Sequence, residues 1–395
     1  MKHILLWLAL LLLGASVMLF TVAPGMVERS MNRVDGKPLP TVRREVQALH
    51  NSLTIVDLHA DTLLWKRDLN DNKPQGHVDT HRLQAGGVTL QVFSSVTKTP
   101  RGQNYAQNDD RSDNITPLVI AQLQPPRTWF SLFERARWHA RKLDKAVIAS
   151  NGALVAIASS DQLRGLKIAR GRGEKMTGVM FSAEGLQSLD GDRANLDRLY
   201  DVGLRMAGLT HFYDNELAGS MHGVNKGGLT AFGRQIMHDM EAKGIIVDVA
   251  HCSHACVADV LQAARRPVVS SHGGVQAACK VNRNLTDIEI RGIAATGGLI
   301  GLGYWDGAMC STDPKAFARS AKYVRDLVGI DHVALGSDFD GAVTTRFDSS
   351  QLAQVTQALV DIGLSNGEIR AVMGENAMRV LEAGLKPMGR KAPTT

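Results

Sequence analysis

Five short apolar runs in this chain end in side chains that can ligate a metal. Leu53 to Leu58 leads into His59 and Asp61, Gly178 to Phe181 into Glu184, and Ile245 to Val249 into His251. Val268 and Val269 lead into His272, and Val333 to Leu335 into Asp338. Imidazoles and carboxylates without thiolates suit zinc or a neighbouring divalent ion at a hydrolytic site. Each piece alone is a weak signal. A lone histidine is more often a core or surface residue, Glu184 could be a carboxylate at a helix N-terminus, and Asp338 could be a turn residue between Gly336 and Gly341. Their shared position, directly after an apolar run, is what makes them a set.

That position requires elements able to bring distant strand ends together. The runs Leu53 to Asp57, Val88 to Phe93, Leu154 to Ala158, Gly178 to Phe181, Met206 to Thr210, Ile245 to Val249, Pro267 to Val269, Leu299 to Leu302 and His332 to Leu335 read as strands. Helix-length segments with apolar spacing of three and four separate most of them: Leu196 to Gly203, Leu229 to Lys243, His254 to Arg265, Asp287 to Ala295 and Pro314 to Val328. Strand and helix alternating this often predict a parallel sheet covered by helices. With no internal linker, the α/β class narrows to a (β/α)8 TIM-like barrel over residues 51–385, in which strand ends converge on one face. An open doubly wound sheet is the alternative. The polar stretch from Lys98 to Pro126 is expected as a long loop over the barrel mouth.

The composition is that of a globular protein: 395 residues, 44% hydrophobic and 21% charged, with a net charge of +6. Disorder, collagen and a disulfide mini-scaffold are excluded. Basic clusters from Arg135 to Lys145 and from Arg164 to Lys175 lack interleaved aromatics or a reader motif, so they are expected as solvated faces and no nucleic-acid partner is expected. Ile4 to Val22 is uncharged throughout, close to the roughly 20 residues that span a bilayer and longer than the roughly 7 to 15 of a cleaved signal's apolar core. Residues 1–23 are therefore expected as a membrane-targeting helix, a signal anchor in preference to a cleaved signal peptide. Arg29, Arg33, Lys37, Arg43 and Arg44 outnumber Lys2 and argue against export by the charge rule, yet a short basic start before an apolar run is how secretory signals begin. Residues 24–50, with Pro24, Pro38 and Pro40, read as a tether, and residues 386–395 as a C-terminal tail. The remaining histidines, His77, His81, His139, His238, His254 and His332 among them, lie outside strand ends and read as surface residues.

Seven motifs in order give the chain a family resemblance: Asp57-Leu-His59-Ala-Asp61, Ser182-Ala-Glu184-Gly185, Leu209-Thr-His211, Val249-Ala-His251, Ser270-Ser-His272, Asn282-Arg283-Asn284 and Gly336-Ser-Asp338-Phe-Asp340-Gly341. Over residues 50 to 385 the sequence resembles the membrane (renal) dipeptidases, zinc metallopeptidases of the amidohydrolase-like barrels, in a bacterial-type form. The resemblance implies two Zn2+ per chain, His59 and Asp61 holding one, His251 and His272 the other, and Glu184 bridging both. It also implies that His211 sits over the substrate carbonyl, that Arg283 binds the substrate carboxylate and that Asp338 lies beside the metal-bound water. Small dipeptides, including those with a C-terminal D residue, are the implied substrates, and a homodimer is implied by analogy. The expected location is the inner membrane with the barrel in the periplasm, or release if the leading segment is cleaved.

Chemistry agrees with these assignments. Two ions about 3.5 to 4 Å apart need a ligand with two donor atoms, and a hydroxide shared between them could attack a peptide carbonyl without a protein nucleophile. Asp338 could accept its proton and pass it to the leaving amine, His211 could donate to the tetrahedral oxyanion, and the planar fork of Arg283 could clamp a carboxylate. Of the four cysteines, Cys252 and Cys256 are expected to be free, and the resemblance makes a bridge between Cys279 and Cys310 available. The glycines from Gly297 to Gly303 lie within a strand pattern and fail as a dinucleotide loop; Ser270-Ser-His272 lacks a nucleophile elbow. Two other readings stand beside the dipeptidase: a dizinc amidohydrolase of another amide, such as an N-acyl amino acid or a lactam, and a non-catalytic anchored barrel that binds peptides.

Overall fold

The computed structural model describes residues 1–388; the rest of the expected tail, 389–395, lies outside the described residues. Eight parallel strands close into a barrel: β1 (Ile55–Ala60), β2 (Val88–Val96), β3 (Thr177–Glu184), β4 (Leu204–Gly208), β5 (Ile246–Asp248), β6 (Val269–Ser270), β7 (Leu299–Leu302) and β8 (Val333–Leu335). β8 returns to β1 through Leu335 opposite Asp57, and β2 and β3 run in continuous register from Leu90 opposite Gly178 to Val96 opposite Glu184. The ninth expected strand, Leu154–Ala156, is real but stands outside the ring, pairing only with the start of β3.

Alternation along the strands sorts the core into an inner and an outer layer. Val56, Leu58, Leu90, Val92, Met180, Met206, Ile246, Leu299 and Ala334 form one buried cluster with Leu163, Leu166, Met378 and Leu381. This is the barrel interior, closed where the strands begin by the helices Ser160–Gly171 and Asn376–Gly384. The opposite faces, such as Val179, Phe181 and Ala183 of β3, pack against the surrounding helices. Four of the expected helices match closely: Ala231–Lys243, His254–Ala263, Asp287–Ala295 and Pro314–Val328. Asp287–Ala295 starts at a capping box between Thr286 and Glu289, which satisfies donors that the first turn leaves free.

Three expectations need correction. The stretch from Lys98 to Pro126 is not loop throughout: Ile115–Ala121 is a helix that buries Ile115 and Val119 against Leu64, Trp65 and Val96. The cluster from Arg135 to Lys145 is not simply a solvated face, because it lies on the helix Leu132–Ala149 and Arg135 is 1% exposed. Its guanidinium donates to the carbonyls of Thr97 and Thr128 and to Asp113, stitching the excursion after β2 to the barrel wall. His77 and His139, read as surface residues, are fully buried.

Residues 2–31 form one helical run, long and apolar enough by length and composition to cross a membrane. Its first two-thirds are exposed, but Pro24 and Glu28 are buried against the barrel. Beyond it, Arg33–Val34 pairs with Thr344–Thr345, and Arg43 ties the start of the helix Arg44–His50 to Asp361.

Candidate metal centre and pocket

The end of the barrel at which the strands terminate gathers all eight side chains singled out from the sequence. Along β3, Met180, Ser182 and Glu184 alternate onto one face, so the strand that contributes Met180 to the interior carries Glu184 to its upper rim. β1 reaches the same rim by a bulge: three steps from Asp57 to Ala60 match two from Gln91 to Phe93 on β2. One extra residue repeats the inward turn made by Leu58 and aims His59 into the barrel. His251 and Asp338 hold left-handed backbone conformations, φ +64° and +57°, which non-glycine residues adopt where the surroundings impose them. Gly336 is required just before Asp338, since a Cβ there would lie 2.0 Å from the Ser271 carbonyl oxygen.

Glu184 is the centre of the group. Its Oε1 lies 2.9 Å from His251 Nε2 and 3.3 Å from His272 Nε2. Its Oε2 lies 3.6 Å from the Nε2 atoms of both His59 and His211. His59 Nε2 is also 3.2 Å from Asp61 Oδ1 and 4.0 Å from Asp338 Oδ1. All seven of these residues are at most 8% exposed. Arg283, equally buried, donates to the His272 carbonyl at 3.1 Å and faces the same cavity.

A second layer orients these groups. Asp57 Oδ1 accepts from the His59 amide at 3.0 Å, and the Ser337 hydroxyl stands between Asp57 Oδ1 and the His59 carbonyl. Asp248 accepts from the Ser271 amide and hydroxyl, and that hydroxyl lies 2.9 Å from His272 Nδ1. Ser220 donates to the His211 carbonyl.

The donor set fits divalent metal. His59 Nε2, Asp61 Oδ1 and Glu184 Oε2 are buried without a hydrogen-bond partner although they face one another. Three buried carboxylates share this pocket and compete for charge. Burial, with Glu184 adding to it, pushes Asp61 up to about 7, and burial together with Asp61 holds Asp338 well above the usual carboxylate range. Burial acts in the same direction on Glu184, but His211, His59 and the other imidazoles hold it well below. Burial, then the Arg283 charge, keeps His251 well below the ordinary imidazole value; burial, then His59, does so for His272. Both therefore present neutral rings, the form that binds metal. Bound cations relieve such crowding of carboxylates and stabilise their ionised forms.

Above the cluster lies a cavity of about 510 Å³. Sequence reasoning missed several of its walls. Tyr105, the sole aromatic between Lys98 and Pro126, reaches in and accepts a hydrogen bond from Trp305 Nε1 at 2.9 Å. Trp305 follows β7, a strand end that offers aromatic rather than metal-binding side chains, and its position alone could have flagged it. Phe212 stacks on the buried His222. The fourth wall comes from the N-terminal helix through Leu19, Ala23, Val27 and Met31, for which no local signal exists.

Comparison with known proteins places these features in a family. The family model described as membrane dipeptidase (peptidase family M19) matches residues 43–387. Dipeptidase aclJ of Aspergillus oryzae is 33% identical over 212 residues, which cover 51% of this chain and only half of that protein's length. Dipeptidase verJ of Clonostachys rogersoniana is 28% identical over 314 residues, 78% of this chain and 76% of that one. A crystal structure of a metallopeptidase from Rhodobacter sphaeroides, liganded with a phosphinate mimic of the dipeptide L-Ala-D-Ala, superposes with a TM-score of 0.66 at 20% identity, covering 84% of this chain and 99% of that one. At that identity the likeness speaks for the fold.

Proposed function

The chain belongs to the membrane dipeptidase family, peptidase family M19, and on that premise we propose that it is a dizinc dipeptidase that hydrolyses small dipeptides, those ending in a D residue included. The observation that carries this reading is the division of donors around Glu184. One carboxylate oxygen faces His251 and His272, and the other faces His59, beside which Asp61 stands. His59 and Asp61 would hold one zinc, His251 and His272 the other, with Glu184 shared. Two zinc ions there would lower the pKa of a shared water to about 7 and polarise the substrate carbonyl.

The protein's own groups do the rest. Arg283, its guanidinium aimed into the cavity, binds the substrate's terminal carboxylate, which restricts the site to short peptides. His211 Nε2, close to Glu184, donates to the carbonyl oxygen as it gains charge. Asp338, whose proton affinity is raised by burial and by Asp61, accepts a proton at its carboxylate and returns it to the leaving amine. The family, the ligand set and the dipeptide mimic bound by the Rhodobacter relative support this reading. The helix Lys2–Met31, long and apolar enough by length and composition to cross a membrane, supports a membrane tether.

The test is hydrolysis of L,L and L,D dipeptides, with tripeptide and N-acyl controls, by the full-length zinc-loaded protein in detergent, against a chelated sample. Cleavage confined to dipeptides and dependent on metal is expected. Glu184→Gln and Asp338→Asn should each lower kcat by about 10²- to 10⁴-fold with the fold intact by circular dichroism. Undiminished turnover in both would overturn the mechanism.

A further inference from the structure

The N-terminal helix is part of the pocket. Leu19, Ala23, Val27 and Met31, spaced by four and so forming one stripe, line the same cavity as Asp61, Glu184 and Asp338. Facing the cavity beside them are Leu64, Trp65, Val96, Ile115 and Leu118. The helix is fixed there by buried charge: Arg67 Nε donates to Glu28 Oε1 at 2.5 Å, and the other end of the same guanidinium binds Asp340. Just past the helix, Asn32 Oδ1 accepts from the Ala342 amide at 2.8 Å and the Arg33 amide donates to the Val343 carbonyl at 3.1 Å.

These bonds set the stripe on the Asp338 side of the cavity, whereas Arg283 stands with His251, His272 and Trp305. A dipeptide with its carboxylate at Arg283 therefore extends its amino-terminal residue towards Asp338 and the stripe. The cavity of about 510 Å³ is within the range that holds drug-sized ligands, more than two small residues occupy. We infer that the helix stripe Leu19, Ala23, Val27 and Met31 is a specificity wall that selects dipeptides whose amino-terminal residue carries a large apolar side chain. This rests on the dipeptidase reading.

The experiment compares kcat/KM for Gly-D-Ala, Leu-D-Ala and Phe-D-Ala with the full-length, zinc-loaded protein in detergent. The wild type should favour the Leu and Phe substrates over Gly. The double variant Val27→Ser, Met31→Ser should lower the Leu-to-Gly ratio about tenfold, the scale of lost methylene contacts in a pocket. Met26→Ser, on a part of the helix that faces away from the cavity, should keep the wild-type ratio. An unchanged ratio in the double variant would overturn the wall. If neither these three substrates nor their L,L counterparts are cleaved, the dipeptidase reading fails, and binding of phosphinate mimics of Gly-Ala and Leu-Ala then judges the wall by itself. Tighter binding of the Leu mimic in the wild type but not in the double variant upholds it, and equal binding in both proteins overturns it.

Discussion

The Ser271 hydroxyl has one proton and gives it to Asp248 Oδ2 at 2.5 Å, so at 2.9 Å it must receive the Nδ1 proton of His272. The tautomer is thereby fixed, and Nε2 keeps its lone pair facing Glu184 Oε1. Ser271→Ala would leave Asp248 one donor short and His272 free to switch its proton to Nε2. Zinc affinity is expected to fall about 10- to 100-fold, the usual loss when such a partner is removed. Competition with a chromogenic chelator measures it; an affinity equal to wild type would show that Ser271 only packs. His59, Asp61, Glu184, His251, His272 and Asp338 were legible in the sequence because each directly follows an apolar run, a strictly local signal. His211 also directly follows an expected strand, Met206 to Thr210, but it was singled out, like Arg283, through the motif resemblance. Arg67 was not legible at all, since its partners Glu28 and Asp340 lie 39 and 273 positions away.

At the scale of elements, the segments after β6 and β7 are joined by the disulfide between Cys279 and Cys310, which closes a separation of 31 residues. Asn284 reinforces the junction by donating to the carbonyls of Cys279 and Ala308. Arg283 and Trp305 are thus carried by two segments held as one. Cys310→Ser should cost about 3 to 4 kcal/mol by the loop-entropy relation. It should also raise KM more than it lowers kcat, because it loosens the segments that carry Arg283, the proposed carboxylate clamp, and leaves the proposed metal ligands in place. Urea denaturation and steady-state kinetics check the two parts. The barrel strands were readable because interior and helix-facing positions are both apolar, giving short continuous runs. The helix Leu132–Ala149 was not, because its buried face includes Arg135 and His139, polar residues whose partners come from distant segments. The helix Ile115–Ala121 was hidden in the same way by the polar residues around it.

For the molecule as a whole, sensitivity to acid follows from histidines that fold in as neutral rings. Burial, with nearby cations, lowers both His139 and His222 from an ordinary 6.5 to about 3. Below pH 6.5 the unfolded chain takes up protons that the folded chain refuses. The stability they confer is therefore complete above that pH and is lost as pH falls towards about 3, each contributing a slope approaching about 1.4 kcal/mol per pH unit. Urea midpoints should drop between pH 7 and pH 5, and His139→Gln should flatten that drop; an equal drop in the variant would contradict the assignment. One more property belongs to the whole chain. The helix that begins with the apolar run carries Glu28 in its last turn, and Glu28 is joined through Arg67 to Asp340, two residues from Asp338. A flexible leash would dissipate tension. Here a mechanical load on the first helix would be transmitted through two ion pairs to the loop that carries Asp338.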